Sequence, residues 1–148
     1  MSTANILPDT NQRVEQNTAA HINKKIAETT ERNVAQYADA DISARINALD
    51  REWDIERTLE ANAATLIVAS TALGFFVNKK WFALTGVVGG FLLQHALQGW
   101  CPPVPVFRRL GIRTTSEIHT EKMALKQLRG DFQPTTNPNA AVMQARKE

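Results

Sequence analysis

From Ala61 to Trp100 the chain runs forty residues with only two formal charges, Lys79 and Lys80. Averaged over 148 residues the sequence is 43% hydrophobic and 22% charged, as an ordinary soluble protein would be. The distribution, and not the average, sets the class. The lysines split the block into "ANAATLIVASTALGFFV", Ala61–Val77, and "WFALTGVVGGFLLQHALQGW", Trp81–Trp100. As a helix the first rises about 25 Å, slightly short of a bilayer core, and the second matches the core's roughly 30 Å. Thinning of the bilayer, or Glu60 and Lys79 reaching to headgroups, covers the deficit of the first. Trp81 and Trp100 close the second span as interface markers, because indole satisfies both ring and N–H at headgroup level. The alternative of a buried soluble hairpin is disfavoured, since uncharged runs of this length are rare outside membranes.

The fold class expected is therefore an all-α membrane protein: a two-helix transmembrane hairpin with amphipathic cytoplasmic helices before and after it. A link of only "NKK", residues 78–80, makes the two helices antiparallel and puts both flanks on one side. Arg51, Arg57, Arg108, Arg109 and Arg113 outnumber Lys79 and Lys80 near the spans, which assigns that side to the cytoplasm. Lys and Arg against Asp and Glu count 7 and 11 over residues 1–60, 2 and 0 over 61–100, and 8 and 4 over 101–148. An acidic front and a basic rear leave a net charge of +2, too weak a field for nucleic acid. The start, "MSTANILPDTNQRVEQ", lacks a basic segment followed by an apolar core, so no cleaved signal is expected.

In lipid, helices associate through close backbone approach at small residues. Ser70 and Gly74 offer this on the first span, and Gly86, Gly89 and Gly90 on the second. They are read as the hairpin's internal contact, with a second copy of the chain as the competing use. Gln94, His95 and Gln98 are the polar residues near the end of the second span. His95 is read as a structural polar contact in preference to a proton relay or metal ligand, because no second histidine or carboxylate shares its span.

Residues 1–16 are expected to be disordered and 17–60 to form an amphipathic helical region. Within it, Ile22, Ile26 and Tyr37 mark a helix from about 19 to 37. Ile42, Ile46, Leu49 and Trp53 mark a second, capped by Asp39 or Asp41, running from about 41 into the first span. After the hairpin of 61–100, residues 101–132 form an interfacial Pro/Arg segment and an amphipathic helix. Pro102, Pro103 and Pro105 predict extended chain at headgroup level, and Arg108, Arg109 and Arg113 follow where guanidinium meets lipid phosphate. Thr114 as cap, Glu117 in the capping-box position and Gly130 as stop bound the helix, with Ile118, Leu125, Leu128 and Phe132 along one side. The basic helix and the acidic N-terminal one are expected to dock. Residues 133–148 are expected to be a disordered tail.

A hairpin without charges, followed by Cys101-Pro102, Leu110-Gly111-Ile112 and Thr114, resembles the small transmembrane domain of YgaP-like inner-membrane proteins of bacteria. The likeness covers about Ile55 to Thr114. It implies the bacterial inner membrane, a multi-pass topology and a homodimer. In that family the hairpin can follow a rhodanese sulfurtransferase domain. Here residues 1–60 contain no cysteine, hence no rhodanese nucleophile, and read as helices where rhodanese needs a parallel sheet.

The function expected is a non-enzymatic inner-membrane anchor or interaction module, its partners being membrane lipids with a homodimer or a further membrane or cytoplasmic protein. The alternative is a membrane-surface thiol or persulfide carrier using Cys101, its pKa lowered by Arg108 and Arg109. A weaker one is a holin-like pore, for which Thr65, Ser70, Thr71, Thr85 and Gln94 do not make a continuous polar stripe. One cysteine excludes an intramolecular disulfide or a multi-cysteine metal site. No phosphate loop, metal cluster or triad can be assembled from these residues, so no cofactor, metal or catalytic set is expected.

Overall fold

Short polar side chains punctuate this chain ahead of its apolar runs, and two aspartates set where helices begin. The computed structural model describes residues 9–132, 134 and 137–145. The helices are α1 (Thr10–Gln16), α2 (Ala20–Ala38), α3 (Ile42–Leu49), α4 (Ile55–Phe76), α5 (Trp81–Gln98), α6 (Val104–Arg109), α7 (Thr115–Arg129) and α8 (Pro138–Ala145). No strand occurs among the described residues. Asp41 accepts from the Ala44 N–H at 2.9 Å to start α3, and Asp54 from the Arg57 N–H at 2.8 Å to start α4. The second cap corrects the expectation of one helix running from 41 into the first span. The Ile55 N–H, one of the donors a new helix leaves open, is taken by the Arg113 carbonyl at 2.8 Å.

The chain divides into two compact units, Met1–Ala27 with Trp53–Ser116 and Glu28–Glu52 with Glu117–Glu148. In the first, α4 packs chiefly on α5, with α1 against α5 and α6 against α4. Val14, Ile55, Leu59, Cys101 and Val104 form its core, flanked by Phe107 and Ile112. In the second, Ile46 and Leu49 of α3 meet Ile118 and Leu125 of α7, with Val34, Tyr37 and Ile42 packed around them. That docking of the acidic and basic helices was expected; its polar centre was not. Glu121 is completely buried and accepts from Arg45 at 2.7 Å, while Arg45 also stacks over Tyr37. Leu128 and Phe132 stay exposed, and Trp53 leaves the apolar stripe to lie under Arg57, 4.4 Å from ring centre to guanidinium carbon.

Three further expectations give way. Disorder through residue 16 fails at Thr10, where α1 begins and buries Val14 completely; residues 1–8 lie outside the described ones. The tail contains α8 over Pro138–Ala145. The Pro segment is not extended: Pro102 and Pro103 form a turn and Pro105 lies in the first turn of α6, where the missing N–H would have had no helical partner anyway.

The second apolar helix ends at Gln98, two residues before Trp100, because Gly99 turns left-handed (φ 68°) and returns its N–H to the His95 carbonyl at 2.7 Å. The open carbonyls at this end are covered by α1. Arg13 donates to Ala96 O at 3.1 Å and Asn17 to Gln98 O at 3.1 Å. A cation at a helix C-terminus also suits its dipole. A Cβ on Gly99 would stand 2.9 Å from the Arg13 carbonyl carbon and 3.0 Å from the Val14 nitrogen. Gly130 (φ 84°) is left-handed too but has open space around it. Gly130→Ala is expected to cost about 1–2 kcal/mol for the left-handed conformation alone. Gly99→Ala should cost more and open α1 to limited proteolysis, as thermal unfolding and cleavage after Arg13 would report.

Candidate functional site

The hairpin's register decides what meets at its open end. Ser70 and Thr85 share a hydrogen bond of 2.6 Å, and Phe82 lies where a side chain on Gly74 would stand. Folding α5 back on α4 in this register brings His95 level with the first turns of α4. There His95 Nε2 meets Glu56 Oε2 at 2.9 Å. His95 is 3% exposed. Its Nδ1 and the Oε1 of Glu56 are both buried and, among the described residues, have no hydrogen-bond partner. The pair lines a cavity of about 230 Å³ with Thr10 and Glu60, walled by Leu59, Leu92 and Ala96.

No carboxylate shares the span of His95, and its partner Glu56 comes from the facing helix α4, outside the reach of a pattern read along one span. Reflecting the chain about Asn78 places His95 opposite residues near 61, beside Glu60 and a little over one turn from Glu56, so hairpin geometry carries the signal that periodicity within one span does not. No group of three metal-binding side chains occurs among the described residues. Gln94 and Gln98 bond each other at 3.3 Å.

Cys101 is 4% exposed and sits in the core of the first unit. Burial pushes its thiol pKa up, the Val104 N–H opposes this, and the charge of Glu56 adds to the rise. The arginines therefore do not activate it as expected. Arg108 is engaged elsewhere: Nε donates to Thr18 Oγ1 at 3.1 Å, Nη2 to Asn23 Oδ1 at 2.9 Å and Nη1 to Ile112 O at 3.1 Å.

With Arg108 at 1% and Arg113 at 6% exposure, these two side chains are inside the unit and not at lipid phosphates. Arg109 remains exposed. Trp81 is partly exposed and Trp100 half-buried. The junction before α7 is held by Glu15, which accepts from Thr114 at 2.9 Å and Ser116 at 2.8 Å. Such a turn tied to α1 was invisible to local patterning, because its partners lie about a hundred residues apart.

The small residues separate into two groups. Ser70 and Gly74 are buried in the hairpin contact. Gly86, Gly89 and Gly90 are not: a Cβ on any of them would meet nothing within 4 Å. That corrects their reading as the hairpin's internal contact and leaves their face of α5 open.

A buried thiol with a raised pKa holds little thiolate at neutral pH. Cys101 in the native protein is expected to alkylate with iodoacetamide at least about tenfold more slowly than in the unfolded chain, where burial no longer opposes ionisation. Equal rates would restore the thiol as a candidate for chemistry.

Residues 54–117 match the family model described as "Inner membrane protein YgaP-like, transmembrane domain". The matched span runs from the Asp54 cap through the hairpin, Cys101 and Arg108 to the first turn of α7. It is the family that Cys101-Pro102 and Leu110-Gly111-Ile112 resemble. No curated protein and no solved structure matches the chain.

Proposed function

We propose that the YgaP-like transmembrane domain in residues 54–117 makes this chain a non-enzymatic anchor of the bacterial inner membrane. In this reading α4 and α5 cross the bilayer as a hairpin and the flanking helices stand on the cytoplasmic side. The observation that carries the reading is the outward face of α4. It is long and apolar enough to cross a membrane, yet only 17% of its most apolar stretch is buried, unlike the core helix of a soluble protein. Phe75 (74%), Phe76 (89%) and Val68 (69%) face outward, with Leu93 and Leu97 of α5. A patch so extensive needs a non-aqueous neighbour.

Among the described residues α4 alone meets the length and hydropathy expected of a span. For α5 the reading rests on the short link and on its polar residues having partners. Its eighteen residues rise about 27 Å, a mismatch that thinning or tilt absorbs cheaply. The hydroxyls of Ser70, Thr71 and Thr85 bond one another within the hairpin, which favours an anchor over a pore lined by them. The open face of Gly86, Gly89 and Gly90 is the surface on which a second copy would approach closely.

Alkaline carbonate should leave the protein in the membrane pellet; release into the supernatant would end the anchor reading. In a Cys101→Ser background, an impermeant maleimide applied from the periplasm should label Asn78→Cys and neither Ala40→Cys nor Asn139→Cys. Labelling at Asn139→Cys would leave α4 as a single span. Oxidative crosslinking of Gly86→Cys should trap a dimer, and a chain that stays monomeric there anchors as one copy.

A further inference from the structure

We propose that the outward face of α6, made by Val106, Arg109 and Leu110, lies in the boundary layer of the bilayer and holds an anionic phospholipid through Arg109. The proposal rests on the anchor reading of the hairpin and adds the class of lipid selected at its foot.

Helical spacing builds this face. Pro103 and Leu110, which flank α6, keep right-handed helical dihedrals, so Pro103, Val106 and Leu110, at steps of three and four, fall on one side with Arg109. The opposite side is spent on the core. Val104 joins Ile55 and Leu59 there, and Arg108 is held inside by its three acceptors. What stays outside is Val106 at 55% exposure, Leu110 at 72% and the side chain of Arg109.

The surroundings decide what covers it. Pro102 and Pro103 line an apolar groove with Asn62, Ala63, Leu66 and Phe91, so the face of α6 continues the outward apolar surface of α4 and α5. Asn62 and Ala63 begin the uncharged run of α4, just after Arg57 and Glu60. Thus α6 leaves the hairpin at the level where acyl chains give way to headgroups, the depth at which a helix with an apolar face and a basic side chain is stable. From Ala61 to Ser116 the chain has no acidic residue, and Glu60 lines the cavity with Thr10 and His95 instead. Arg109 therefore offers positive charge on an acid-free stretch, which suits a phosphate that its guanidinium can engage through two N–H groups. A free phosphate would leave Val106 and Leu110 in water. A second copy docked on the same face about a twofold axis would set one Arg109 near the other, with no acid from residues 61–116 to pair them. A phospholipid meets both demands, its phosphate at Arg109 and its acyl chains at Val106 and Leu110.

The test places a nitroxide on Leu110→Cys in the full chain carrying Cys101→Ser, reconstituted in vesicles of equal parts phosphatidylcholine and phosphatidylglycerol. A separate label on Val68→Cys, on the outward side of α4, reports the hairpin by itself. Oxygen should collide with both labels more often than a polar nickel chelate does, because oxygen partitions into acyl chains and the chelate stays in water. A Leu110 label open to nickel beside a shielded Val68 label overturns the α6 surface and leaves the anchor standing. Both labels open to nickel end the anchor, and the α6 surface with it. A Leu110 label shielded from both reagents, with dipolar broadening between copies, overturns the proposal in favour of a second chain. The lipid class is read from spin-labelled lipids. Arg109→Gln should lower the preference for phosphatidylglycerol over phosphatidylcholine about two- to fivefold, with helical content unchanged by circular dichroism. Arg32→Gln, at an exposed position of α2, removes the same charge from the other unit and should leave the preference intact. Equal losses in the two variants would trace the preference to net charge and overturn the role of Arg109.

Discussion

The antiparallel register of α4 and α5 is the constraint on which the first unit depends. Four residues, Val77–Lys80, join the helices, and three levels lock them: Gly74 under Phe82, Ser70 bonded to Thr85, and Glu56 bonded to His95. The bond between two small hydroxylated residues fills the middle without a bulky side chain, so the backbones stay close enough for Phe82 to seat. That register fixes the height at which α5 ends, and the end of α5 is where α1 docks through Arg13 and Asn17. A slip of one turn would separate the histidine from its carboxylate.

Both units place a charged side chain at the centre of a small apolar core. Arg108 is fully buried and its three nitrogens each have a named acceptor. Glu121 is fully buried and held by Arg45. Desolvating such groups is expensive, and it is tolerable only when the surrounding donors and acceptors are arranged to replace water. Cores of a few aliphatic residues specify position weakly. A guanidinium with directional partners on Thr18, Asn23 and the Ile112 carbonyl ties three separated segments to one geometry.

The hairpin inverts the arrangement of a water-soluble helix pair. The hydroxyls of Ser70, Thr71 and Thr85 and the His95 ring are turned inward to partners, while phenylalanine, leucine and valine cover the outside. The proposed crossing of both helices requires this placement, since a polar group in an apolar medium needs a neighbour on the facing helix. The same placement leaves Cys101 in the core, where burial suppresses the thiolate that sulfur transfer would need.

Much was legible along the chain because it depends on neighbours within a turn or two. The apolar block, α2, the Asp41 cap of α3, the Gly130 stop of α7 and the family resemblance all rest on local pattern or on motif. What the tertiary structure decided involves partners distant in sequence. Proline at 105 reads as extended chain until Val104 and Arg108 have a core to enter. Three arginines after a span read as lipid contacts, and only packing shows that two of them turn inward. Trp100 reads as the end of the second span until Gly99 is seen turning left-handed against α1. The pairing of Glu56 with His95 joins residues 39 apart. Composition and periodicity determine which segments become helices and which prefer oil, since those are averages over adjacent residues. Which polar atom meets which depends on the register between helices, and that is set by close packing across the fold.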